Sequence, residues 1–184
     1  MKRTFLLLIF PFLLWSCNSA NQEGKLEDGV YTYEKLDWEI EIPEGYSVRK
    51  AQKNPAKKGA VNLVSFEIDP QNYFASSVEP LKNSKKLTPQ QHQQFLAQVI
   101  KESYSLVEGV EIKQDLSKEL IGNFYFYTIE TKVLDSKTHE LVLAQRFYNT
   151  YLEDREMFSV LINYTSEEVD STLTENFKRS LQKA

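Results

Sequence analysis

Few side chains in this sequence have the type and spacing to do chemistry, and Cys17 is the foremost. It is the only cysteine among 184 residues, and it follows an apolar run, Phe5 to Trp15, that lies behind the positive Met1-Lys2-Arg3. A thiol so placed is available for acylation. With no second cysteine, disulfides and thiolate metal sites are excluded. His92 and His139 are the only imidazoles. His139-Glu140 lacks the second histidine of a zinc-binding helix, so both histidines are expected at the surface. Among the carboxylates, Glu39 and Glu41 fall on the outer face of a strand. Glu167 and Glu168 open a helix, where acids suit the dipole. A hydrolase built on a carboxylate pair therefore ranks third among the functional readings. There is no Gly-x-Ser-x-Gly elbow, phosphate-cradling loop or dinucleotide fingerprint. The expectation is a chain with no catalytic site, no metal and no cofactor.

Charge is distributed unevenly. The net charge is −4, and from Arg49 to Lys86 eight basic residues face three acidic ones. Lys50, Lys53, Lys57, Lys58, Lys82, Lys85 and Lys86 form a candidate basic patch if the fold gathers them, suited to phospholipid headgroups or an acidic partner. Nucleic acid is not an expected partner of an exported protein.

The elements that must position these groups follow from the hydrophobic pattern. Phe5 to Trp15 has roughly the length of an export signal core and is too short to span a bilayer, which takes about twenty apolar residues. Residues 1–16 are read as a removable signal, 17–28 as a flexible tether and 29–184 as a single domain. Val30 to Tyr33 and the strictly alternating Trp38 to Ile42 read as strands, closed by the turn Pro43-Glu44-Gly45. Val61 to Ile68 and Tyr73 to Val78 are further strands. Thr88-Pro89-Gln90-Gln91 is a capping box with proline at the first helical position, opening a helix that Gly109 stops. Phe95, Leu96, Val99, Ile100, Tyr104 and Val107 make its apolar stripe. Val110 to Lys113 and Lys118 to Ile121 read as two short strands. Phe124 to Leu134, Glu140 to Leu152 and Met157 to Tyr164 read as an antiparallel meander. A last helix, capped by Asp170 or Ser171, carries Leu173, Phe177 and Leu181 on one face and pairs Glu175 with Arg179 on the other. Phe124-Tyr125-Phe126-Tyr127 and Phe147-Tyr148 place aromatics on both faces of their strands, so both sheet faces must be covered. The fold class is α+β, a mainly antiparallel β-sheet flanked by helices.

Two resemblances extend this reading. Leu14-Trp15-Ser16-Cys17 resembles the bacterial lipobox, which implies cleavage before Cys17 and lipid on its thiol and new amine. Two or three acyl chains anchor firmly, because each buried methylene contributes ~0.8 kcal/mol. The order of elements over roughly Val30 to Leu181, together with "WEIEIPEG" at Trp38 to Gly45, resembles the PsbP-like domains. These include the extrinsic P-subunit of photosystem II and Ran-binding Mog-type proteins. The likeness implies a layered sandwich that binds or assembles rather than catalyses, with no cofactor. The resulting expectation is a lipid-anchored, non-enzymatic envelope protein, at the outer rather than the inner membrane, with a protein partner of unknown identity. The alternative is a carrier of a lipid or other apolar ligand, held in a groove of strand aromatics.

Overall fold

The computed structural model describes residues 24–49, 59–81, 87–152 and 156–182. In chain order it has β1 (Lys25–Glu27), β2 (Val30–Tyr33), a 3-10 turn (Glu34–Leu36), β3 (Trp38–Glu41), β4 (Ser47–Val48), β5 (Val61–Asp69) and β6 (Asn72–Pro80). Then come α1 (Pro89–Tyr104), β7 (Val110–Ile121), β8 (Phe124–Asp135), β9 (Leu141–Leu152), β10 (Glu156–Tyr164) and α2 (Glu167–Ser180). Two antiparallel sheets result: β1-β2-β3, and a seven-stranded sheet ordered β4-β5-β6-β10-β9-β8-β7. The expected α+β class is observed, and the meander β8-β9-β10 is continuous.

Local chemistry explains the turns. Asp69 Oδ1 accepts from the backbone N–H of Gln71 and Asn72, folding β5 back into β6. Asp135 Oδ1 does the same for Lys137 and Thr138 between β8 and β9. At the β7–β8 turn Gly122 sits at φ +55, and a Cβ there would strike the Leu181 carbonyl. Glycine is required at that position for both reasons.

Each face of the main sheet has its own cover. On one face α2 and the small sheet enclose Trp38, Phe66, Phe74, Phe126, Phe158 and Phe177, none more than 1% exposed. Phe66 stacks on Phe74 with centroids 4.7 Å apart, and Trp38 meets Phe158 edge-on at 5.1 Å. Buried rings of this size each contribute about 1.5–3 kcal/mol through burial alone, so this is the principal core. On the opposite face α1 lays Ala97 on Ile129, Phe147 and Leu161, flanked by Leu96, Ile100 and Tyr73.

Several expectations need correction. Lys25–Glu27 pairs with β2, so the fold starts inside the stretch 17–28 read as tether; the ladder to β2 holds this exposed edge strand without any buried side chain of its own. Residues 110–121 form one strand rather than two, because an unbroken ladder to β8 overrides the weak strand propensity of Gln114 to Lys118. Ser166, not Asp170 or Ser171, caps α2 by accepting from Val169 N–H. The capping box of α1 forms as expected, with Thr88 and Gln91 exchanging side chain-to-backbone bonds. The apolar stripe of α1 holds only in part: Leu96, Ile100 and Tyr104 face the sheet with Gln93 and Ala97, while Phe95 is 57% and Val99 41% exposed.

Candidate functional site

Cys17 lies outside the described residues, and so do Lys50, Lys53, Lys57, Lys58, Lys82, Lys85 and Lys86. Of the basic stretch, Arg49 is placed. Its guanidinium lies over the Tyr73 ring at 4.2 Å and its Nε pairs with Glu67 at 3.2 Å.

The most buried ion-paired cluster among the described residues centres on Arg146. Arg146, on β9, reaches Glu130 of β8 at 2.6 Å and Asp170 of α2 at 2.5 Å, and also donates to Thr174 Oγ1 at 2.8 Å. Tyr164 donates its hydroxyl to the same Glu130 carboxylate. Burial would raise the Glu130 pKa, but the Tyr164 hydroxyl and the Arg146 guanidinium more than offset it, and the carboxyl stays below its ordinary range. A carboxylate held ionised in this way is a poor proton donor. The cluster therefore clamps α2 to the sheet. Burial also raises the Tyr148 hydroxyl to about 12, which keeps it protonated.

The histidines separate. His139 sits at φ +59 in the β8–β9 loop and pairs with Glu111 at 2.9 Å, exposed as expected. His92 is not a free surface residue. It is half-buried, with Nδ1 2.6 Å from the Tyr151 hydroxyl. Burial and the neighbouring Tyr127 raise the Tyr151 pKa, so that hydroxyl stays protonated as well. Among the described residues no three His, Cys, Asp or Glu side chains converge as a metal-ligand set.

The face under α1 carries polar residues that the sequence did not single out. Gln93 donates to the carbonyls of Ser117 and Thr128, and Gln114 to the Ala97 carbonyl and Thr131. Gln145 donates to Asn163, and Ser159 to Asn149 Oδ1 at 2.8 Å. Only Asn149 Nδ2, among buried described side-chain polar atoms, has no partner. This lining suits helix docking rather than an apolar ligand. The strand aromatics likewise serve packing: Phe126 and Tyr148 pack against Phe177, and Phe147 lies under α1.

What remains available is the outer surface. Phe95 and Val99 lie four residues apart on the solvent side of α1, and Leu106 follows in the turn beyond at 83% exposed. Along the sheet margin, Leu116 is 42%, Leu120 59% and Tyr125 57% exposed, and Lys118 Nζ lies over the Tyr125 ring at 4.3 Å. The apolar pattern of α1 flagged Phe95 and Val99, but assigned them to the wrong side of the helix.

Fold and surface together define a layered α+β domain with an aromatic core, an ion-paired clamp between α2 and the sheet, and apolar residues left outside. No protein-family model matches the sequence, and no curated protein does. Solved structures do match. The chain is similar to cyanobacterial PsbP (CyanoP) from Synechocystis at 13% identity and a TM-score of 0.53, over 91% of this chain and 95% of that one. A looser likeness is to LpqN, described as involved in cell envelope biogenesis of Mycobacterium tuberculosis, at 12% identity and a TM-score of 0.42, over 79% of each chain.

Proposed function

We propose that the protein is a membrane-anchored, non-enzymatic binding or assembly module of the bacterial cell envelope. The observation that carries this reading is the surface of α1. Phe95, Val99 and Leu106 stand in solvent beside a domain whose interior is already filled. Phe95 and Val99, one turn apart on α1, with Leu106 just beyond its end, suit a protein contact surface. The anchor is lipid on Cys17, placing the domain at a membrane, the outer one on this reading. Lys50, Lys53, Lys57, Lys58, Lys82, Lys85 and Lys86 then supply positive charge for headgroups or an acidic partner. The carrier alternative is not favoured, because the aromatics that would line its groove pack against α2 and α1.

The experiment is cross-linking in intact membranes followed by affinity purification of the full chain, beside Phe95→Asp/Val99→Asp. The expected result is a protein recovered with the wild type, lost with the variant, and bound directly by the purified chain. Recovery of the same protein with both chains overturns the role of α1. Mass spectrometry of the mature N-terminus tests the anchor: an acylated Cys17 is expected, and an unmodified one refutes it.

A further inference from the structure

From β7 we infer a second binding surface, and its occupant is another copy of this chain. The strand is the outermost of the seven-stranded sheet, runs unbroken from Val110 to Ile121, and pairs with β8 on one side only. The opposite margin is the two-residue β4. A long regular margin presents a row of backbone donors and acceptors ready for another strand. Natural sheets usually shorten, bulge, charge or cover such a margin; among the described residues β7 is long and unbulged, and its charges are of both signs rather than a repelling row of one sign.

The side chains of β7 suit their own image. Gln114, Leu116 and Lys118 share the α1 face, with Gln114 bonded to the Ala97 carbonyl; Lys113, Asp115, Ser117 and Glu119 share the other, with Glu119 bonded to Lys178 of α2. Two copies joined antiparallel into one sheet must set like face against like face, which restricts the two-fold axis to a residue position. An axis at Leu116 puts Leu116 against its image and Ile112 against Leu120. On the other face it puts Lys113 against Glu119 twice and Asp115 against Ser117. No like charges oppose. Moving the axis to Asp115 sets Asp115 against itself and Glu111 against Glu119. Moving it to Ser117 sets Asp115 against Glu119. An axis at Gln114 is free of clashes, but the strands then overlap only from Val110 to Lys118 rather than from Glu111 to Ile121. Charge complementarity and overlap together select Leu116.

The symmetry also suits a tethered protein. A two-fold axis perpendicular to the sheet keeps both small sheets, where the described chain begins at Gly24 beside Tyr31, on the same side of the pair. Two anchors then reach one bilayer, and confinement there raises the effective concentration of the copies for each other. The pairing requires no second protein and stands independently of the contact proposed for α1.

The test uses the full chain, in membranes and purified in detergent. Opposed Cα atoms at an axis lie about 4.5–5.5 Å apart, within the span that a disulfide bridges. Leu116→Cys is expected to give a covalent dimer under mild oxidation, with the wild type controlling for Cys17. In sedimentation, Lys113→Glu is expected to weaken self-association about tenfold, because it sets like charges opposite twice. Lys113→Glu/Glu119→Lys is expected to restore it. These two residues are too far apart on one strand to compensate within a monomer. Circular dichroism and thermal unfolding establish that each variant is folded. A monomeric wild type with no Leu116→Cys dimer overturns the proposal. So does cross-linking through Gln114→Cys in place of Leu116→Cys, or failure of the charge exchange to rescue.

Discussion

Replacing Arg146 by Met keeps most of the aliphatic stem and removes the guanidinium that joins Glu130, Asp170 and Thr174. The three charged side chains are each 18% exposed, so they are largely but not wholly removed from water. Leaving a buried charge without its partner costs roughly 3–5 kcal/mol, and the residual exposure puts this case near 3. For a domain of this size that corresponds to a fall in Tm of about 6–12 °C. The sign of the pH dependence is fixed by Glu130. In the wild type its folded pKa lies below the ordinary 4.5, so its contribution is present above that value and lost as pH falls through the folded one. Without Arg146, burial is opposed only by the Tyr164 hydroxyl and Lys132, so the carboxyl moves upward from its wild-type position and protonation relieves the variant as pH falls. Urea denaturation of both proteins at pH 7 and pH 4 should therefore show a deficit widest at neutral pH and narrower in acid. A deficit below about 0.5 kcal/mol at pH 7, the scale of a solvated surface pair, would refute the clamp. So would a deficit equal at both pH values.

Three further substitutions test other parts of the fold by urea or thermal denaturation. Trp38→Phe removes the indole N–H that donates to Ser180 Oγ at 2.8 Å and should cost about 1–2 kcal/mol, whereas an unchanged midpoint would show that bond to be idle. Ser159→Ala leaves the whole Asn149 amide unpaired and should cost about 1–3 kcal/mol. Ser159→Ala/Asn149→Leu, which removes both polar groups, should recover most of that loss, and a double variant weaker than the single one would contradict the reasoning. Gly122→Ala forces a Cβ into the Leu181 carbonyl at positive φ and should cost more than about 1 kcal/mol; wild-type stability would mean that the turn relaxes freely.

How much of this was legible in the sequence depended on how local the determining chemistry is. The start of α1 was readable because Thr88, Pro89 and Gln91 satisfy one another within a single turn. The meander was readable because aromatic, alternating runs are separated by polar loops. The orientation of α1 was not, since its stripe of Phe95 and Val99 is an equally good helical pattern. Gln93 turns inward because it meets two backbone carbonyls from strands β7 and β8, which no periodicity can reveal. The continuity of β7 was hidden for a related reason, as Gln114 and Asp115 join a strand only because β8 supplies the ladder. The Arg146 clamp unites residues from β8, β9 and α2 that the sequence keeps apart. Cys17 and the lysine cluster are sequence readings whose positions lie outside the described residues.

The strand order β6-β10 has a consequence for how the chain is made. Asn72–Pro80 finds its neighbour in Glu156–Tyr164, and Trp38 finds the hydroxyl of Ser180, so the first third of the fold is completed by the last. A ribosome delivers the first third early and the last third at the end. Until β10 and α2 emerge, β5 and β6 have only each other and the two-residue β4, and so small a sheet is marginal in water. β8 and β9 pair locally, but they do not join β6 until β10 is inserted between them. The nascent chain therefore stays uncommitted until synthesis is nearly finished, and then closes as one cooperative unit. Arrest of synthesis before residue 156 leaves Trp38, Phe66 and Phe74 without the strand and helix that bury them, a species for chaperones and proteases rather than a smaller folded domain.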